Sequence, residues 1–167
     1  MQWESWVPNK VNLLVWRAEF ARIPTRDALV QRRIPIPTMS CPLCEVDDEN
    51  LKHLFIGFGF AYGVWSFICK WCKVDPFCAF DFKDLLLLCD NIGGNKWRKK
   101  IMRGIVMVTI WVLWKTRNAK VFQQKTSRVG EVVAEVKSFS FLWIKNRSKF
   151  KNVEWKDWSD FPLYICN

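Results

Sequence analysis

The chain of 167 residues has one histidine, His53. With that imidazole placed beside a cysteine pair, none is left for a hydrolytic triad, and an enzyme of that class is not expected. No apolar run is long enough for a membrane. The best candidate, residues 101–114, includes Arg103 and falls short of the roughly 20 residues a span requires, so it predicts a buried core helix. The opening ten residues are polar and contain Glu4 and Pro8, which is not a secretory leader. Seven cysteines, an odd number, then point to a reducing compartment and free thiols. The expected location is nucleus or cytoplasm, not outside the cell. Internal repeats and low-complexity tracts are absent. Acids are absent over one long stretch as well: residues 91–130 contain none.

What is present is hydrophobic and basic. Half the residues are hydrophobic and eleven are tryptophan, ample apolar area for a folded core. Eleven indoles are more than a core of this size is expected to hide, so some should reach a surface. The net charge is +10, which suits a polyanionic partner such as nucleic acid. The acid-free stretch carries all of that excess in Lys96, Arg98, Lys99, Lys100, Arg103, Lys115, Arg117, Lys120, Lys125 and Arg128. Residues 45–90 are instead acidic, with Glu45, Asp47, Asp48, Glu49, Asp75, Asp81, Asp84 and Asp90. This separation predicts a molecule with an acidic and a basic end. The plainer alternative is a solvated helix surface that keeps the chain soluble.

Periodicity predicts a mostly α fold: a small helical domain with a CxxC zinc-knuckle-like turn, followed by two long helices. The domain covers residues 1–90, with the knuckle at 41–58. Residues 91–167 form a basic helical region packed on it. Helical spacing of apolar residues covers 9–20, ended by Ile23-Pro24, and a short helix capped by Thr25 runs to about residue 33. Residues 34–40, with Pro35 and Pro37, read as an extended linker. A helix starting at Asp47 or Asp48 carries His53, Leu54 and Phe55, and Gly57 and Gly59 interrupt it. Further helices cover 61–71, 82–89, 97–122 and 129–143. Val108-Thr109 admits a local strand, but length favours helix. The tail from Lys151 is expected to pack loosely.

Cys41-Pro42-Leu43-Cys44 has the spacing of half a zinc site, and His53 supplies a third donor on the following helix. Phe58, five residues further on, cannot ligate. Three readings stand. A fourth ligand comes from elsewhere, with Cys69, Cys72, Glu45, Asp48 or water as candidates. Or the site is dead and packing alone holds the fold. Or the CxxC is a redox pair, which lacks the expected strand-then-helix setting. Cys69-Lys70-Trp71-Cys72 forms a second CxxC inside a predicted helix, and a four-cysteine site with Cys41 and Cys44 is a further arrangement.

Several segments in order resemble the zinc-binding domain at the C-terminal end of plant LINE-type (non-LTR) retrotransposon reverse transcriptases. They are Trp6 with Val7-Pro8-Asn9-Lys10-Val11-Asn12, Ile23-Pro24-Thr25-Arg26-Asp27-Ala28-Leu29, Cys41-Pro42-Leu43-Cys44, then Glu49, His53-Leu54-Phe55, Phe60-Ala61 and Val64-Trp65. Trp111, Trp114-Lys115-Thr116-Arg117-Asn118 and Val121-Phe122 resemble the stretch that follows it. The resemblance spans about residues 3–150. It implies zinc held by Cys, Cys, His and Cys, of which Cys41, Cys44 and His53 match. The fourth falls on Phe58, which argues against tight zinc binding. Gly57 and Gly59 also stand where the family has bulkier residues or proline, and decay of an inactive element copy would account for all three changes.

The resemblance further implies an accessory role, gripping RNA or DNA with low specificity while another domain does the chemistry. No paired-aspartate polymerase signature is present; Asp47-Asp48 lies in an acidic turn without a preceding strand, and two-metal chemistry needs carboxylates converging from separate elements. The chain is therefore read as non-catalytic, with no membrane or small-molecule partner. The expected nucleic-acid contacts are Lys96, Trp97, Arg98, Lys99, Lys100, Arg103, Arg117 and Lys120, with Arg26, Arg32 and Arg33 as a second patch. Trp97 abuts the densest cluster and could stack on an unpaired base or equally open the core stripe of its helix. The competing function is a protein-interaction or purely structural remnant with a tryptophan-rich docking face.

Overall fold

A computed structural model describes residues 3–57, 59–76 and 79–166. Among the described residues seven α-helices run in chain order: α1 Asn9–Glu19, α2 Arg26–Gln31, α3 Gly59–Cys72, α4 Phe82–Asn91, α5 Lys96–Gln123, α6 Val129–Arg147 and α7 Trp155–Asp160. A π-helical turn, His53–Gly57, precedes α3, and a 3-10 turn, Pro162–Cys166, closes the chain. The described residues contain no β-strand, only one isolated antiparallel bridge between Ser40 and Asp48. No helix among them is long and apolar enough to cross a membrane.

α5 is the axis. Every residue from Ile101 to Ile110 is buried, which requires protein on all sides. α6 packs along it, and α1, α4, the C-terminal 3-10 turn and the π turn take the remaining faces. The strand alternative at Val108-Thr109 fails because Thr109 returns its hydroxyl to the Ile105 carbonyl at 2.9 Å and continues the helix. Buried residues of α1, α3 and α4 share one apolar cluster with those of α5 and α6.

The N-terminal segment is pinned by Asn12. Its side chain accepts from the Glu4 amide at 3.0 Å and donates to the carbonyls of Glu4 and Val7. That doubles residues 4–7 back over α1 and drives Trp6 into the core against Gly104 of α5.

Three expectations need correction. The helix carrying His53 starts at Leu51, not at Asp47 or Asp48, because Asn50 is its cap and accepts from the His53 amide at 2.8 Å. Thr25 precedes α2 but makes no side-chain cap; the Glu49 carboxylate takes the Arg26 amide instead. The tail does not pack loosely. Trp158 and Leu163 are fully buried, and the Trp71 indole donates to the Trp158 carbonyl at 2.9 Å. Val153, Trp158, Pro162 and Leu163 make this tail part of the core, an effect that composition alone did not reveal.

Candidate metal centre and basic clusters

The knuckle folds as a chain of local hydrogen bonds. The Cys41 amide donates to the Asp47 carbonyl and the Glu45 amide to the Cys41 carbonyl, while Glu45 takes a left-handed φ of 60°. This tight reversal brings Cys41 and Cys44 to one side. The π turn then swings His53 over them. The Cys44 sulfur and His53 Nε2 are 3.3 Å apart, and one donor atom from each of the three residues lies within 4.8 Å of the others.

Tetrahedral zinc would set sulfur and nitrogen donors roughly 3.6 Å apart and two sulfurs about 3.8 Å apart. The three donors fit such an ion. His53 Nδ1 faces Asp47 at 4.0 Å, the place of a carboxylate that orients a ligating histidine. Burial pushes the Cys41 thiol up to about 11, opposed by the Leu43 and Cys44 amides aimed at its sulfur. Cys41, Cys44 and His53 would therefore hold zinc, which would cross-link the knuckle to the π turn.

No other histidine, cysteine or carboxylate among the described residues joins this group. Cys69 and Cys72 lie buried on α3, and Cys72 feels Cys89, Arg98 and Lys137 as its charged or ionisable neighbours. The four-cysteine arrangement is thereby excluded. Glu45 is engaged by Lys120 at 3.1 Å, and Asp48 is exposed on the bridge to Ser40. Phe58 lies outside the described residues.

Under the knuckle sits an ion pair that the sequence reading did not find. Glu49 is fully buried. Arg117 Nε and one guanidinium NH2 group each donate to its carboxylate at 2.7 Å, and the Arg26 amide adds a third bond at 2.9 Å. The Arg26 guanidinium itself donates to the Ser40 carbonyl. One carboxylate thus ties the knuckle, the start of α2 and the last third of α5 together. Its signal was present as Glu49 and Arg117 in the family-like segments, but their separation of 68 positions hid the pairing.

This pairing corrects two predicted contacts. Arg117 is 4 % exposed and committed to Glu49. Arg103 is 9 % exposed and bound by Glu4 and Asp90. Neither presents a cation to a partner. Acids also hold Lys120, through Glu45, Lys115, through Glu135 at 3.1 Å, and Lys100, through Glu4 at 3.9 Å. The acidic and basic ends are therefore not segregated: the acidic stretch folds back onto the acid-free helix. The apolar middle of α5 further divides what remains into two groups.

At the knuckle end Arg32 and Arg33 are exposed, and Arg26 is half-buried. At the start of α5, Lys96, Lys99 and Lys100 surround Trp97, whereas Arg98 is turned to the opposite side, toward Gly94 and Met102. Lys149, from the segment after α6, comes to 3.7 Å from the Trp97 ring centre and was not anticipated. Only the fold brings it there, 52 positions from Trp97. Glu4 closes this site from below. Burial raises its carboxyl above the ordinary value, opposed by Lys100 and Arg103.

A family model described as zinc-binding in reverse transcriptase matches residues 1–65. The matched segment contains Cys41, Cys44, His53 and Glu49 and ends inside α3. No curated protein and no solved structure gives a significant match to the chain.

Proposed function

We propose that the chain is a non-catalytic module, derived from the reverse transcriptase of a plant LINE-type retrotransposon, that grips RNA or DNA with low specificity in the nucleus or cytoplasm. The observation that carries this reading is the pairing of a reverse-transcriptase zinc-binding match with exposed cations that have no carboxylate within ion-pair distance among the described residues. Arg32 and Arg33 beside the knuckle and Lys96 at the far end of α5 are of this kind. Such cations meet phosphates without first breaking an internal pair. Zinc at Cys41, Cys44 and His53 supplies no chemistry in this reading; it stiffens the surface that carries Arg32 and Arg33.

Binding of labelled single-stranded RNA and DNA to the full chain, at about 50 and 200 mM salt, tests it. Micromolar affinity at the lower salt that weakens at the higher is expected. Absence of binding at low salt overturns the reading. A discrete dimer without nucleic-acid affinity would favour docking of protein through exposed tryptophans, of which Trp3 and Trp155 are examples.

A further inference from the structure

The half-buried Trp97 forms one wall of a cavity of about 360 Å³, completed by Glu4, Asp90, Lys96, Lys99, Lys100 and Arg103. Three ammonium groups gather round this one indole: Lys149 at 3.7 Å, Lys100 at 5.6 Å and Lys96 at 5.8 Å from the ring centre. A cation over an aromatic face is common, but three of like sign repel one another. They also crowd the first turns of a 28-residue helix that has no acid there, where the helix dipole already disfavours positive charge. An anion entering among them relieves both strains.

A second observation concerns the opposite wall. Glu4 is 1 % exposed, and its Oε2 has no hydrogen-bond donor among the described residues; Lys100 Nζ is 3.9 Å from it, beyond hydrogen-bond distance. A buried carboxylate oxygen without a donor calls for an N–H from a partner. The cavity therefore asks for a flat ring, an anion and an N–H donor in a volume suited to a small ligand.

Resting on the nucleic-acid reading above, we infer that this cavity holds one unpaired nucleotide, with its base stacked on Trp97, its phosphate among Lys96, Lys99, Lys100 and Lys149, and an amino group of the base donating to Glu4. The base displaces the Lys149 ammonium from the ring face, and that lysine turns to the phosphate. A base inside a duplex cannot stack on the ring, because both its faces are already covered. The module then distinguishes single strands from duplex, whose bases are paired to the ends, and cytosine, which carries an amino group, from thymine.

The full chain is titrated by fluorescence anisotropy with labelled ten-residue oligodeoxycytidylate and oligodeoxythymidylate and with a blunt duplex of mixed sequence. Wild type is expected to bind oligodeoxycytidylate more tightly than oligodeoxythymidylate. Trp97→Leu should lose about tenfold in single-strand affinity and leave duplex affinity unchanged, while Trp97→Phe keeps most of the binding. Lys149→Gln should weaken single-strand binding several-fold, and it alters a surface side chain whose loss leaves the core intact. Unchanged single-strand binding in Trp97→Leu, or an equal loss for single strand and duplex, overturns the nucleotide site while leaving general nucleic-acid binding in place. Equal affinity for the two homopolymers overturns the Glu4 contact. Wild type that binds none of the three probes removes the parent reading and this one with it.

Discussion

Gly104 shows how one missing side chain sets the position of the N-terminal segment. A Cβ there would lie 2.0 Å from Trp6 Cζ2 and 2.4 Å from Cε2, and Trp6 is 2 % exposed with no room to retreat. Gly104→Ala is expected to lower stability by about 2–3 kcal/mol through overpacking, although alanine is the better helix former. Urea denaturation measures it; an unchanged midpoint would mean that the indole is free to move. Cys41 makes a different residue-scale claim. Its thiol, held up to about 11 by burial, stays protonated in the metal-free protein throughout the neutral range. Zinc uptake must expel that proton, so zinc affinity should rise with pH, by about tenfold per unit for this thiol alone. Competition with a chelator at pH 6, 7 and 8 reads the slope, and His53→Ala should abolish uptake at each pH. A pH-independent affinity would show that Cys41 is not a ligand.

At the scale of elements, the Glu49–Arg117 pair is the buried tie between the knuckle, the start of α2 and α5. Arg117→Met leaves a fully buried carboxylate with only one backbone amide, and a cost of about 3–5 kcal/mol is expected. Removing both charges, as Glu49→Leu with Arg117→Met, should cost far less than the sum of the single changes, since no orphaned charge remains. A double-mutant cycle in urea decides this, and additive single effects would refute the coupling.

The helices themselves were legible in sequence because local apolar spacing fixes them. Asn9–Glu19, Gly59–Cys72 and Val129–Arg147 lie within a few residues of their predicted ranges. The three knuckle donors were legible because CxxC is a local geometry. What escaped were choices made over long separations. Glu49 with Arg117, Glu4 with Arg103 and Lys149 with Trp97 join residues that no window along the chain contains together. The cap at Asn50 escaped for another reason: Asp47, Asp48 and Asn50 are all competent caps, and the bridge from Ser40 to Asp48 decides among them.

For the whole molecule, the decisive quantity is how many cations are free to meet phosphate. The acid-free stretch supplies ten, but carboxylates hold Lys100, Arg103, Lys115, Arg117 and Lys120. The rest divide between the two ends of α5, which its 28 residues place about 40 Å apart with an apolar middle between them. A short strand therefore reaches one end at a time. At the Trp97 end it meets Lys96, Lys99 and Lys149, with Lys100 only loosely held by Glu4. Three or four phosphates neutralised on a single strand give a slope of log affinity against log salt of roughly −2 to −3. Ten cations acting together would give about −7. Anisotropy titrations of a ten-residue single strand between 50 and 200 mM salt separate these values by more than their error. A slope near −7 would mean that the internal ion pairs open on binding and that the acid-free stretch acts as one surface; a slope near −2 would place the grip at one end of the axis helix, with the buried pairs left to hold the fold.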